Sequence, residues 1–160
     1  MSPKAYFLTW TTYGSWLRGD VRGSVAGDNR FGTPYADPDP VLESNDAGRT
    51  SSEAVHLDQV KREIVASAIE EVCSHRGWRI YAANVRSNHV HIVVRANVPP
   101  EKVLTDLKAW ATRRLRESGW FARDQKVWTK HGSTRYIFDD ASLAKAVDYV
   151  IRRQDMKRTL

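Results

Sequence analysis

In the run SNHVHIVV (87–94), His89 and His91 stand two residues apart within a segment otherwise suited to a buried strand. Strand side chains alternate between faces, so His89, His91 and Val93 share one side and Val90, Ile92 and Val94 the other. The aliphatic set can lie under helices while the imidazoles sit together on the opposite face, close enough to share one ion. Two imidazoles at i and i+2 suit a borderline divalent metal and leave positions for a third protein ligand and a substrate oxygen. The bland alternative is a pair of surface histidines on an open sheet face.

A second candidate group lies about sixty residues downstream, in ASLAKAVDYVIRRQDM (141–156). Helical spacing puts Leu143, Val147, Val150 and Gln154 on one narrow stripe. Tyr149 projects from its flank, neighboured by Arg152 and Arg153. Such a tyrosine is either a snorkelling surface residue or a phenolic nucleophile whose phosphate target is held by the arginines. A carboxamide at Gln154 on a buried stripe needs a polar partner, which an ion on His89 and His91 would provide.

The net charge is +6, and its distribution narrows the partner. Residues 18–55 hold four Arg against seven Asp and Glu, a balance of −3, whereas 101–136 hold nine Lys and Arg against four acids, a balance of +5. Interleaved with that second stretch are Trp110, Trp120, Phe121, Trp128 and Tyr136. Cations meet phosphates and rings meet unstacked bases, so the mixture suits single-stranded nucleic acid. A solvated basic surface over ordinary core aromatics is the plainer account. Cys73 is the only cysteine, no intrachain disulfide can form, and it falls on the apolar side of an expected helix. No stretch approaches the ~20 apolar residues of a membrane span, and the start lacks a leader pattern. These readings place the protein in the cytoplasm with no membrane partner.

The elements that must position these groups follow from periodicity and punctuation. KAYFLTWTT (4–12) is rich in aromatic and β-branched residues and predicts a first strand. Residues 13–55 show neither period and read as a loop-rich surface insertion. Leu57, Val60, Ile64, Ala68, Ile69 and Val72 recur at helical spacing, and Gly77 supplies a stop. Strands follow over 78–88 and 89–96. Pro99 and Pro100 open a second helix with Val103, Leu107, Trp110 and Ala111 inside, ending at Ser118-Gly119. A last strand covers 126–138 with an interruption near Gly132, and Asp139 or Asp140 caps a final helix reaching about residue 156. The expected class is α+β: a ferredoxin-like βαββαβ antiparallel sheet with helices on one face, plus a C-terminal helix carrying the tyrosine. Residues 1–160 then form one domain, with 139–156 as its catalytic helix.

YFLTWTTYGSWLRGD, NHVHIVV, KVWTKHGSTRYI and YVIRRQ together resemble the single-tyrosine HUH transposases, in particular the REP-associated tyrosine transposases and related single-strand insertion-sequence transposases. The resemblance spans most of the chain and implies the same ferredoxin-like plan. It implies strand cleavage and transfer on single-stranded DNA bearing a hairpin, with no nucleotide cofactor. His89 and His91 would bind Mg²⁺ or Mn²⁺ with Gln154 as third ligand, and Tyr149 would form a 5′-phosphotyrosine. Insertion-sequence relatives act as dimers, so a homodimer is one expectation; REP-associated relatives can be monomers. In the insertion-sequence branch the tyrosine and glutamine stand at i and i+4. Gln154 is at i+5 from Tyr149, about 140° around an ideal helix. A bulge, a tyrosine reaching the phosphate from the side, or another third ligand (Asp148 or Asp155) would each accommodate the extra residue.

Other residues invite DNA contacts. Lys130, His131, Ser133, Thr134 and Arg135 cluster beside Gly132, where a missing side chain permits close approach. Trp16 and Arg18 follow the first strand as stacking and phosphate candidates. Two competing activities share part of this pattern: a rolling-circle-type nicking enzyme and a non-catalytic single-stranded nucleic-acid-binding module on the same fold.

Overall fold

Seven residues with alternating bulk, Ala5–Thr11, form β1, and every one of them is buried. A strand buried on both sides must be central and covered twice, and the topology provides both conditions. The computed structural model describes residues 2–15 and 54–153. Within them β1 is joined by β2 (Arg79–Val85), β3 (His89–Arg95) and β4 (Ser133–Ile137). They form one antiparallel sheet in the order β2-β3-β1-β4. This is the ferredoxin-like arrangement expected from the sequence. Among the described residues no helix is long and apolar enough to cross a membrane.

Two helices cover one face: α1 (Gln59–Arg76) and α2 (Pro100–Glu117). Leu8, Trp10, Val90, Ile92 and Val94 of the sheet meet Val65, Ile69, Val72, Val103 and Leu107 in the larger core. A third helix, α3 (Asp140–Asp148), lies on the opposite face and continues into a π turn, Tyr149–Arg153. There Ala146 and Val150 close over Ala5, Phe7, Ala82, Val93 and Ile137 in a smaller core. The histidine face is therefore roofed by the tyrosine-bearing helix instead of lying open.

Local signals set the helix ends. Asp58 caps α1 by accepting from the Lys61 amide at 3.0 Å, and Gly77 ends it in the left-handed region at φ 76°. Asp139 caps α3 through the Ser142 amide at 2.7 Å. The inner stripe of α1 differs from expectation: Val60 is 49% exposed, whereas Val65 is fully buried. Leu57 is buried but precedes the cap, its amide bonded to the Ser87 carbonyl at 2.6 Å. It lies outside the helical phase, so counting from it rotates the stripe. The true stripe is Val65, Ala68, Ile69, Val72 and Cys73. Burial pushes the Cys73 thiol up to about 12, which suits a small core hydrophobe and no thiolate chemistry.

The last strand is interrupted as its glycine suggested. Trp128 makes an isolated bridge to Thr12, and β4 proper begins at Ser133. The space beside Gly132 is filled by the protein itself: a Cβ there would lie 2.7 Å from the Thr9 carbonyl oxygen and 3.0 Å from Leu104. Gly132→Ala must push β4 away from β1 and is expected to destabilise by about 1–3 kcal/mol, measured by urea denaturation. Unchanged stability would show that the contact relaxes freely.

Candidate active site

The antiparallel register builds the site row by row. His91 lies between Asn84 on β2 and Thr9 on β1, and Thr9 in turn faces Ser133 on β4. His89 sits opposite Thr11, one row nearer the sheet's end, while Val93, Phe7 and Arg135 form the row on the other side. The imidazoles of His89 and His91 are 4.7 Å apart between ring centroids. Alternation thus does bring the pair together on one face.

Each imidazole has its Nδ1 engaged. His89 Nδ1 meets Asn88 Oδ1 at 2.8 Å, an oxygen that can only accept, so the ring proton belongs on Nδ1. His91 Nδ1 lies 2.8 Å from the Thr9 hydroxyl, with Thr9 and His91 both buried. That hydroxyl can accept from Nδ1–H as readily as donate. With both protons on Nδ1, the lone pairs reside on Nε2, the arrangement in which neighbouring oxygens orient metal-ligating histidines. The donor set therefore fits two ligands of a divalent ion. Among the described residues no group of three or more His, Cys, Asp or Glu side chains could hold an ion. A third protein donor must be of another type or lie outside those residues. Gln154 and Asp155 lie there; Asp148 is described, exposed and ion-paired with Arg152 at 3.0 Å.

Tyr149 is half-buried over this pair. Its ring is 5.6 Å from that of His91, edge to face, and 5.9 Å from Phe7. Phe7 in turn stacks on His91 at 5.7 Å with planes 29° apart. The aromatic contacts hold phenol and imidazole in one cluster. Tyr149 opens the π turn, whose i→i+5 bonding stacks residues five apart instead of four. Asn84 fastens that turn to the sheet by donating to the Val150 carbonyl at 3.0 Å.

The remaining sequence candidates divide. Ser133 and Arg135 are buried on the histidine face, at 7% and 2% exposure, whereas Thr134 turns to the other face. Lys130 and His131 are exposed in the preceding loop, whose carbonyls at Thr129 and Lys130 accept from Lys108 Nζ at 2.7 and 3.3 Å. Burial pulls the Lys108 ammonium down to about 8. Arg152 is exposed and held by Asp148. Trp16, Arg18, the Arg153 side chain and Gln154 lie outside the described residues, as does most of the 13–55 insertion. Thr9, Phe7, Asn84 and Asn88 escape sequence reasoning; only Asn88, adjacent to His89, left a signal there.

No curated protein sequence matches the chain. Among solved structures, the fold is similar to a REP-associated tyrosine transposase bound to a REP hairpin. That likeness has a TM-score of 0.54 and 12% identity, over 98% of this chain and 70% of the other. A crystal structure described as a transposase from Deinococcus radiodurans R1 aligns over 99% of this chain and 92% of its own, at 12% identity and a TM-score of 0.47. The profile of IS200-like transposases matches residues 49–152, from ahead of α1 to the π turn. A match over that share of the sequence places the chain in the IS200-like transposase family.

Proposed function

We propose that this transposase cleaves and rejoins single-stranded DNA at hairpin-associated sites by a metal-dependent route through a 5′-phosphotyrosine intermediate. The observation that carries the reading is Tyr149 packed 5.6 Å from His91, itself 4.7 Å from His89, on a face roofed by the tyrosine's own helix. The Tyr149 oxygen attacks the scissile phosphorus, forming an O–P bond as the P–O3′ bond breaks and the leaving 3′ oxygen takes a proton. A second 3′-hydroxyl then attacks the phosphotyrosine and restores the phenol. Each step exchanges one phosphodiester for another, so no nucleotide cofactor is required. A bound Mg²⁺ or Mn²⁺ would neutralise charge building on a non-bridging phosphate oxygen.

His89 and His91 are the assigned protein ligands, oriented by Asn88 and Thr9. Gln154 is the assigned third. The π turn supports it, because five residues per hydrogen-bonded ring make i and i+5 the one-turn pair. The residue separating this spacing from i+4 is the one a π turn absorbs. Of the arginines singled out, Arg135 shares the histidine face and is the better placed to draw a phosphate there. Residues 1–160 act as one domain, with hairpin DNA as partner; the solved REP-associated relative holds such a hairpin.

The test is incubation of labelled, hairpin-bearing single-stranded DNA with the full chain and Mn²⁺ or Mg²⁺. A protein–DNA adduct that survives denaturing electrophoresis is expected with metal and lost with EDTA. Binding without an adduct on any hairpin substrate would leave a non-catalytic binding module.

A further inference from the structure

Far from Tyr149, the sheet carries a cleft of about 810 Å³ walled in part by Tyr6, Tyr136, Phe138, Arg79 and Arg95. Arg95 ends β3, six residues from His89, which puts the two about 20 Å apart along the strand. Arg79 and Arg95 occupy directly opposed positions on β2 and β3, and both are exposed. Like charges set opposite each other across a sheet oppose folding. Among the described residues neither guanidinium has a carboxylate partner; Arg79 rests 4.8 Å over the Tyr81 ring. An anion between them would offset the repulsion.

The cleft's aromatic wall has the complementary chemistry. Tyr136 is half-buried, 5.8 Å from Tyr6 on one side and 6.0 Å from Phe138 on the other, with planes inclined 54° and 67°. Tyr6 is fixed by its hydroxyl, which donates to the Val98 carbonyl at 2.8 Å. Rings held this way cost little entropy when they receive another ring. Only an unpaired base has a face to offer them, so the combination of paired guanidiniums and preset rings selects single-stranded nucleic acid over duplex.

We propose that this cleft is a second DNA subsite: Arg79 and Arg95 hold a backbone phosphate between them while Tyr136 and Phe138 stack on an unpaired base of the substrate strand. It anchors the strand several nucleotides from the phosphate presented to Tyr149. The subsite rests on the reading of the chain as a single-strand enzyme, but its affinity does not depend on Tyr149 chemistry.

The experiment is fluorescence anisotropy of a labelled short oligo(dT) with the full chain, titrated at several salt concentrations. Arg79→Ala/Arg95→Ala is expected to weaken binding about tenfold or more and to flatten the salt slope by about 0.7, one single-strand phosphate contact. Tyr136→Leu is expected to weaken it by about 5- to 100-fold, and Tyr136→Phe to retain it, because stacking needs only the ring. An abasic oligonucleotide should erase the difference between Tyr136→Leu and wild type. Unchanged affinity and salt slope in the double arginine variant would overturn the subsite, as would equal competition by a duplex of the same sequence. Adduct formation is measured separately on hairpin DNA. Its absence in wild type would condemn the role of Tyr149 and leave the cleft result standing.

Discussion

Tyr149→Phe is expected to abolish the covalent protein–DNA adduct, lowering cleavage by roughly 10⁴-fold or more, while DNA affinity changes by less than about twofold. The substitution removes only the phenolic oxygen. Its ring keeps the edge-to-face contacts with His91 and Phe7 at 5.6 and 5.9 Å, so the π turn stays seated on the sheet. Tyr149→Ala would confuse the matter by emptying that half-buried position. Denaturing electrophoresis after incubation with hairpin DNA and Mn²⁺ reads the first effect, and anisotropy reads the second. An adduct of undiminished yield in the phenylalanine variant would pass the nucleophile's role to another residue.

The second large effect concerns His91. His91→Ala should abolish cleavage at low metal and remove the rise in melting temperature that Mn²⁺ gives the wild type, since a ligand that binds only the folded state stabilises it. Mn²⁺ affinity should fall by at least the roughly 10- to 100-fold seen when merely the outer partners of metal ligands are lost. The change also has a structural component. His91 is 4% exposed, bonded to buried Thr9 and stacked on Phe7. Its removal leaves a cavity and a buried hydroxyl without its partner, for about 2–4 kcal/mol of stability in the absence of metal. Thr9→Val separates the two components: it keeps the imidazole and deletes its orienting oxygen, so Mn²⁺ affinity falls while the stacking on Phe7 survives. Full activity of His91→Ala at low Mn²⁺ would sink the metal assignment.

Much of this was legible beforehand because it depends on short-range rules. The two faces of β3 follow from a period of two, and the helix ends follow from Asp58, Gly77, Pro100 and Asp139, whose capping chemistry is local. The inner stripe of α1 was misjudged because Leu57, though buried, lies before the cap and carries no information about helical phase. Gly132 suggested a gap for DNA, yet the Thr9 carbonyl takes that space. Lys130 to Arg135 form one cluster in the sequence but divide in the fold. Their strand alternates, sending Ser133 and Arg135 under α3 and Thr134 to the other side.

By itself, then, the sequence determined the order of elements, the pairing of His89 with His91, and the presence of a tyrosine and a glutamine five residues apart near the end. These are consequences of backbone period and residue type, which need no knowledge of distant neighbours. Tertiary structure alone decided that α3 roofs the histidine face, that Thr9 and Asn88 orient the imidazoles, and that Phe7 binds phenol to imidazole. It also decided that the helix widens into a π turn at Tyr149, fastened by Asn84. The reason is register: Thr9 and His91 are separated by 82 positions, and only the pairing of β1 with β3 sets them side by side.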